Sequence, residues 1–222
     1  MAVAAECGKS EPRAPLDCPL TQGIYSTLCG VIAEHLAIST PPNPELDPEL
    51  EHLRRSLSAA AQRPDFRHPA ARSYRSIFHQ ALAVGRRDGI RSIASALQEL
   101  TSDLPWDYHY PPRAGEADLA ANIGFAELIG PDGPLQARDC RVGFTLIAPD
   151  TRYPLHAHPA IELYMVIAGI GVWTASCGDQ VVPPGGFVLH RTNEPHAMRT
   201  THEPLLALYS WRGDLETAAY YL

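Results

Sequence analysis

Histidine and glutamate side chains crowd one short segment of the sequence. His156, His158 and Glu162 follow one another closely, and Tyr164 stands two residues after the glutamate. Alternate residues of a strand share a face, so His156 and His158 should point the same way, and Glu162 and Tyr164 should form a second pair on the following strand. Imidazole nitrogens together with a carboxylate suit a divalent first-row metal. The segment therefore predicts a metal site with a tyrosine beside it.

Two further histidines lie later in the same half of the chain. His196 stands at the start of a predicted strand, and across a small barrel it can reach the same point as the earlier histidines. His190 is predicted to lie either next to the metal or against the substrate, and ordinary strand packing is its alternative. These residues need a fold that brings distant strands together.

Composition narrows the class of protein. The chain has 222 residues, 45% of them apolar, which is ample for a packed core. Its formal net charge of −7 argues against a nucleic-acid partner. No apolar run approaches the roughly 18–20 residues that cross a bilayer, and no secretory signal is recognisable. Five widely spaced cysteines fit a reducing compartment, so we expect a cytoplasmic protein without a membrane partner.

A helical region is predicted before the barrel. After a flexible tail at residues 1–20, apolar side chains recur at three- and four-residue steps from Thr21, from Asp47, over about 69–84 and over about 89–100. Asp47 is predicted as an N-cap, with Pro48 at the first helical position. We expect this region, residues 21–104, to cover one face of the barrel or to mediate a homodimer.

Short β-type runs follow a proline-rich aromatic connector at residues 105–112. Eight strands are predicted, at residues 123–129, 141–148, 161–167, 171–175, 180–182, 187–190, 196–200 and 205–211. Regular short strands with turn signals between them predict a closed barrel or jelly roll over residues 105–222. A short helix is expected at residues 214–222. The predicted fold class is thus mainly β, with an α-helical region in front of a jelly-roll-like barrel.

The histidine segments resemble the two motifs of the cupin family. His156-x-His158-x3-Glu162-x6-Gly169 fits the first motif in full. The second motif is matched at Gly185 and His196, while its proline, second glycine and final asparagine are replaced. The resemblance implies a cupin β-barrel.

A narrower resemblance is to the cupin-type dimethylsulfoniopropionate (DMSP) lyases. It is carried by Tyr153-x2-His156-x-His158-Pro159-x2-Glu162-x-Tyr164, by His190-x3-Asn193-x-Pro195-His196-Ala197-Met198, and by residues 205–213. The resemblance covers residues 105–213 in detail. The rest of the chain shares only the overall arrangement, a helical part in front of the barrel.

This resemblance implies a metal-dependent carbon–sulfur lyase that cleaves DMSP, a small zwitterionic sulfonium compound, to dimethyl sulfide and acrylate. It implies that a divalent ion (Zn, Fe, Mn, Co or Ni) is held by four residues, His156, His158, Glu162 and His196. Tyr164 is the leading candidate for the base, and Tyr153 is a second base or a substrate-orienting residue. The side chains expected around the substrate are Tyr153, His190, Trp173, Tyr209 and Trp211.

Two alternatives stay open on the sequence. The first is another metal-dependent cupin enzyme, a dioxygenase or an isomerase, because the same ligand set supports those reactions. The second is a non-catalytic cupin that binds a small molecule and carries a DNA-binding helix-turn-helix. The arginines between Arg72 and Arg91 form a local basic cluster, but the acidic balance of the whole chain counts against DNA binding.

Overall fold

The computed structural model describes residues 19–40, 43–64, 66, 74–101, 104–111 and 119–222. The predicted tail lies outside these residues except for 19–20, which already belong to the first helix. The helices are α1 (Pro19–Ile38), α2 (Asp47–Ala59), α3 (Arg75–Asp88), α4 (Arg91–Gln98) and the short α5 (Leu119–Asn122). Among the described residues, none of the helices combines the length and the apolar character needed to cross a membrane.

Two helix boundaries differ from the sequence prediction for physical reasons. Asp47 is not an N-cap, because a 3-10 turn at Pro44–Leu46 runs directly into α2 and leaves no extended residue before it. α3 continues through Gly85, where a helix end was expected. A Cβ at Gly85 would lie only 2.8 Å from the Cβ of Ala94, so this glycine allows close helix packing rather than ending the helix. The first residues predicted for α3, 69–73, lie outside the described residues.

Twelve strands are found in the described residues: β1 (Ala61–Gln62), β2 (Ile123–Ile129), β3 (Leu135–Gln136), β4 (Arg141–Ile147), β5 (Arg152–Ala157), β6 (Ile161–Ala168), β7 (Gly171–Ala175), β8 (Gly178–Val182), β9 (Phe187–His190), β10 (His196–Thr200), β11 (Leu205–Arg212) and β12 (Tyr220–Tyr221). They form a seven-stranded sheet in the order β1-β3-β2-β4-β11-β6-β9 and a five-stranded sheet in the order β12-β5-β10-β7-β8. The mainly β fold with preceding helices is therefore confirmed.

The central strands of the larger sheet are buried on both faces. On β6, Leu163 and Met165 face outward into the core that the helices form, whereas Tyr164 and Val166 face inward into the core between the sheets. β4 and β11 follow the same alternation. A strand covered on both faces reads as a nearly continuous apolar run, which is how these strands appear in the sequence.

β12 was not predicted as a strand, and β5 is missing from the eight predicted runs, although the spacing of His156 and His158 was interpreted as that of a strand. Pro154 interrupts the apolar pattern of β5, and a proline within a run argues against a strand. Here the register between β5 and β10 shifts between His196 and Met198, so Pro154 is accommodated at a bulge. The helix expected at 214–222 is wrong: Tyr220 and Tyr221 form β12, which pairs with β5 because that edge of the smaller sheet is otherwise open.

Candidate active site

A cavity of about 310 Å³ lies over the inward face of the larger sheet. The register of the sheet explains its lining. Glu127, Gly143, Tyr209 and Tyr164 form one row across β2, β4, β11 and β6, and Arg141, Trp211 and Glu162 form the next row. The remaining wall comes from the connector residues His109 and Tyr110, from Phe125 and Thr145, from Tyr153, His156 and His158 around β5, and from residues 215–219.

Three of the four predicted metal ligands lie close together at one side of this cavity. Ligand-capable atoms of His158, Glu162 and His196 all lie within 4.8 Å of one another, and all three residues are buried. His196 does not line the cavity, but its Nε2 lies 3.3 Å from Glu162 Oε2. His156 stands outside this group of three, with its ring centroid 4.1 Å from that of His196. The fold thus brings the four predicted ligands into one buried cluster.

The backbone sets the orientation of all three histidine rings. Nδ1 of His156 donates to the carbonyl of Pro154 at 2.8 Å, Nδ1 of His158 to Ala160 at 3.0 Å, and Nδ1 of His196 to Glu194 at 2.8 Å. A ring fixed in this way keeps its Nε2 for a ligand. Nε2 of His196 is buried and makes no hydrogen bond among the described residues. The donor set therefore fits a divalent first-row metal.

Glu162 is the residue on which the other groups converge. Its Oε2 accepts from His158 Nε2 at 2.9 Å, and its Oε1 accepts from Trp211 Nε1 at 2.7 Å. Burial alone would raise the pKa of this carboxyl, but the charge and hydrogen bond of His158, reinforced by His196, hold the pKa well below its usual range. Glu162 is thus an anion at neutral pH despite being only 3% exposed.

The fold shifts the pKa of His158 and the pKa of His156 in opposite directions. Burial lowers the pKa of His158, but the adjacent Glu162 carboxylate outweighs this effect and raises the pKa above its ordinary value. The pKa of His156 lies well below its ordinary value, first because of burial and then because of His196. His156 is therefore a neutral nitrogen donor. A divalent cation can replace the proton that His158 shares with Glu162.

Both candidate tyrosines line the cavity and are only 2% exposed. Burial and then the Glu162 carboxylate raise the pKa of Tyr164 well above its usual value. Burial and then Tyr110 and Tyr164 do the same for the pKa of Tyr153. Tyr153 also stacks on His156, with ring centroids 4.0 Å apart. A positive charge at the histidine cluster is the feature that would oppose these shifts.

Two of the residues predicted around the substrate do not reach the cavity. His190 is fully buried and stacks on His196, with ring centroids 3.8 Å apart and planes 9° apart. Trp173 is 1% exposed and packs against Tyr164 at 5.7 Å. His190 therefore lies behind His196, and Trp173 lies behind Tyr164, so neither side chain forms part of the cavity wall. Tyr209 and Trp211 do line the cavity.

The sequence prediction missed several lining residues. Glu127 and Arg141 form an ion pair at 3.3 Å, and Arg141 is also 3.8 Å from Asp132. Both residues of this pair line the cavity, in the two rows that also hold Tyr164 and Glu162. The only signal for them was a polar residue at an inward position of β2 and of β4. Residues 215–219 also line the cavity, where a helix was expected.

Fold and site together define a cupin-type β-barrel with a buried histidine–glutamate centre. Comparison with known proteins agrees: the model of the family described as dimethylsulfoniopropionate lyase matches residues 48–207, more than half of the chain. The chain belongs to this family.

Two curated relatives carry the same description. The putative dimethylsulfoniopropionate lyase DddL of Cereibacter sphaeroides is 33% identical over 154 residues, covering 68% of this chain and 63% of the relative. Dimethylsulfoniopropionate lyase DddQ of Ruegeria pomeroyi is 36% identical over 115 residues, covering 51% of this chain and 57% of the relative. The chain thus spans roughly 60% of the length of these curated relatives.

Solved structures show the shared fold. The crystal structure of the DMSP lyase DddQ from Ruegeria pomeroyi DSS-3 superposes with a TM-score of 0.72 at 22% identity, over 90% of this chain and 96% of that chain. A chain from the crystal structures of the DMSP lyases RdDddP and RnDddQII gives 0.68 at 24% identity, over 90% and 98%.

Proposed function

We propose that this protein is a metal-dependent carbon–sulfur lyase that cleaves DMSP to dimethyl sulfide and acrylate. One observation carries the proposal. In a chain of the DMSP lyase family, a buried cluster of His158, Glu162 and His196 lies at the same cavity as two buried tyrosines, Tyr153 and Tyr164.

The proposed chemistry is a β-elimination. A base removes a proton from the carbon next to the substrate carboxylate, the new electron pair forms the double bond of acrylate, and the carbon–sulfur bond breaks. The sulfur leaves as a neutral thioether, so its departure needs no acid. The difficult step is therefore the deprotonation, which builds negative charge next to the carboxylate.

The ligand set gives the centre a suitable charge. A divalent ion held by neutral histidines and the Glu162 carboxylate supplies net positive charge for the carboxylate of the substrate and for the charge that develops beside it. His156, His158 and His196 are the nitrogen donors we assign, and Glu162 is the oxygen donor. Zn, Fe, Mn, Co and Ni all accept such a set.

Tyr164 is the base that we assign. It stands two residues from Glu162 on β6, with its ring on the cavity face. A free phenol has a pKa of about 10, so it becomes an effective base near neutral pH only beside positive charge. Tyr153 lies across the cavity on β5 and orients the substrate by hydrogen bonding, or takes the proton in place of Tyr164.

Aromatic side chains account for binding of the sulfonium end. Phe125, Tyr110 and Tyr209 contribute rings to the cavity wall. Each aromatic face attracts a cation by roughly 0.5–2 kcal/mol, more when water is excluded. The substrate would therefore lie with its carboxylate at the histidine cluster and its sulfonium among these rings.

The test is product analysis with and without oxygen. Purified protein loaded with each metal in turn is incubated with DMSP, dimethyl sulfide is measured in the headspace and acrylate by NMR. The proposal predicts equal amounts of the two products and the same rate without oxygen. No dimethyl sulfide from any metal-loaded form would overturn it, and oxygen consumption would favour a dioxygenase instead.

A further inference from the structure

Four tyrosines connect three distant parts of the chain at the cavity wall. Tyr108 and Tyr110 come from the connector, Tyr153 from β5 and Tyr221 from β12; we call these four the tyrosine array. Tyr110 and Tyr153 share a hydrogen bond between their hydroxyl groups. Tyr108 and Tyr221 share another, with the oxygens 2.6 Å apart. The array therefore joins the C-terminal strand to a candidate catalytic tyrosine.

Stacking holds the two hydrogen-bonded pairs together. The rings of Tyr110 and Tyr221 lie 4.3 Å apart at 27°, and Tyr110 meets Tyr153 edge-on at 5.9 Å. On its other side Tyr153 stacks on His156. The Tyr153 ring is thus fixed by His156, and its hydroxyl group is fixed by Tyr110.

Backbone pairing places each partner. Tyr221 stands opposite His156 in the pairing of β12 with β5, and the N–H of Leu222 donates to the carbonyl of Leu155 at 3.0 Å. The connector is held by Asp107, which exchanges two backbone hydrogen bonds of 2.8 Å with Phe125. Neither segment depends on the other for its own backbone bonds, so the tyrosines make the link between them.

We propose that Tyr110 is a positioning residue for Tyr153 and that β12, through Tyr221, holds Tyr110 in place. The inference rests on the proposed function, since it assigns Tyr153 a role in that reaction. It gives β12 a part in catalysis: Tyr221 in this strand helps to set the direction of the Tyr153 hydroxyl group, which faces the substrate.

A double-mutant cycle tests the first half. Tyr110→Phe keeps the stacked ring but removes the hydroxyl group that bonds Tyr153. We expect kcat/KM for DMSP to fall roughly 3- to 10-fold, the range for one hydrogen bond. Because Tyr110 acts through Tyr153, adding Tyr110→Phe to Tyr153→Phe should cause no further loss. The inference would be overturned if the losses of the two single variants multiplied in the double variant. It would also be overturned if Tyr110→Phe kept the kcat/KM of the parent.

Substitutions in β12 test the second half. Tyr221→Phe keeps the ring that stacks on Tyr110, so its activity should stay within about 2-fold of the parent. Tyr221→Leu removes the ring and should match Tyr110→Phe. Tyr220 is the matched control, because it lies in the same strand and is 45% exposed. Tyr220→Leu should leave the activity unchanged, and an equal loss in Tyr220→Leu and Tyr221→Leu would contradict the assigned role.

A measurement without substrate separates this inference from the proposed function. The hydroxyl proton shared by Tyr110 and Tyr153 should give a slowly exchanging downfield proton resonance, identified by its loss in Tyr153→Phe. It should also disappear in Tyr110→Phe and in Tyr221→Leu, and persist in Tyr220→Leu. Persistence in Tyr221→Leu would overturn the role of β12, whether or not the protein cleaves DMSP.

Discussion

At the scale of single residues, the candidate centre depends on how the Glu162 carboxylate is held. Burying an isolated carboxylate is costly, and three side chains offset that cost here: His158, His196 and Trp211. Trp211 donates to the oxygen that His158 does not use, so it orients the carboxylate while leaving the other oxygen directed at the histidines. The indole N–H of Trp211, the one polar group of an otherwise apolar ring, is thus part of the site.

Substitution of the proposed base is the first prediction. Tyr164→Phe removes only the hydroxyl group and should lower kcat by about 100-fold or more, the usual contribution of a general base. Bound metal per chain, measured by elemental analysis, should stay the same, because the histidines and Glu162 are untouched. Tyr220→Phe is the control and should retain full activity. A fully active Tyr164→Phe would transfer the role of base to Tyr153.

The second prediction concerns the buried His190. Burial, with the charge of His196, lowers the pKa of His190 to about 3 from its ordinary 6.5. Between these values the unfolded chain binds a proton that the folded chain does not, so stability is lost as pH falls from 6.5 towards 3, by up to about 1.4 kcal/mol per pH unit. His190→Phe keeps a ring against His196 and should flatten this loss.

Urea unfolding at several pH values, with a chelator present throughout, measures the effect of His190→Phe. The control is His202→Phe, which removes a histidine whose side chain is 95% exposed. If the free energy of unfolding of His190→Phe fell with acid as steeply as that of the parent, His190 would not be the titrating group.

The sequence predicted which histidines and glutamate the fold brings together better than it predicted the side chains around them. The spacing from His156 to Glu162 was informative because these residues lie near the end of β5 and the start of β6, two consecutive strands that belong to the two sheets facing each other. His190 and Trp173 were expected at the substrate, but they pack behind His196 and Tyr164. Periodicity tells which face of a strand a side chain occupies. It does not tell which of two inward residues reaches the cavity, because that depends on the packing of the opposite sheet.

At the scale of elements, the floor of the cavity depends on a glycine in β4. Gly143 lies between Glu127 and Tyr209 in the row across the sheet. A Cβ at this position would lie 2.5 Å from the carbonyl oxygen of Ala126 and 2.6 Å from the Tyr209 hydroxyl oxygen. The absence of a side chain at Gly143 therefore lets the phenol end of Tyr209, a residue that lines the cavity, lie close to the backbone of β4.

The third prediction compares two glycine substitutions. Gly143→Ala should destabilise the protein by roughly 1–3 kcal/mol, as overpacking does, and should raise the KM for DMSP by displacing Tyr209. A Cβ at Gly30, on the exposed face of α1, would meet no neighbouring atom within 4 Å. Gly30→Ala should therefore stabilise the protein by about 0.5–1 kcal/mol. Equal stability changes on denaturant unfolding would contradict the close approach of Tyr209.

Elements with regular periodicity were predictable, and elements defined by their neighbours were not. The central strands β4, β6 and β11 follow from their apolar runs, and α2 follows from the spacing of its leucines. β5 contains Pro154 at a bulge, and β12 has only two residues, which acquire strand geometry by pairing with β5. Such pairing is a tertiary effect with little local signal.

At the scale of the whole molecule, the helices and the histidine–glutamate centre lie on opposite faces of one sheet. α3 packs against β6. Gly89 directly follows α3, and a Cβ at this position would lie 2.3 Å from the carbonyl oxygen of Ile167 in β6. The inward face of the same strand carries Glu162 and Tyr164. The outward face of β6 thus belongs to the main hydrophobic core, and the strands β6 and β10, which carry Glu162 and His196, belong to different sheets.

This arrangement leads to the fourth prediction, on metal and stability. A metal ion bound by Glu162 of β6 on one side, and on the other by His196 of β10 and by His158 just after β5, would link the two sheets only in the folded state. At a free metal concentration of about 100 times Kd it should add about 2.7 kcal/mol to the free energy of unfolding. That corresponds to a rise in Tm of about 2–4 °C per kcal/mol. Thermal unfolding of His158→Ala, with and without metal, should show little of this shift.

The central claim, that a metal ion at the histidine–glutamate centre is required for DMSP cleavage, is tested most directly by removing and restoring the metal. The protein is stripped with a chelator, dialysed and titrated with each divalent metal, and the rate of dimethyl sulfide release is plotted against metal bound per chain. We expect no release from the stripped protein and a rate that rises linearly to about one metal per chain. Full activity in the metal-free protein would contradict the claim.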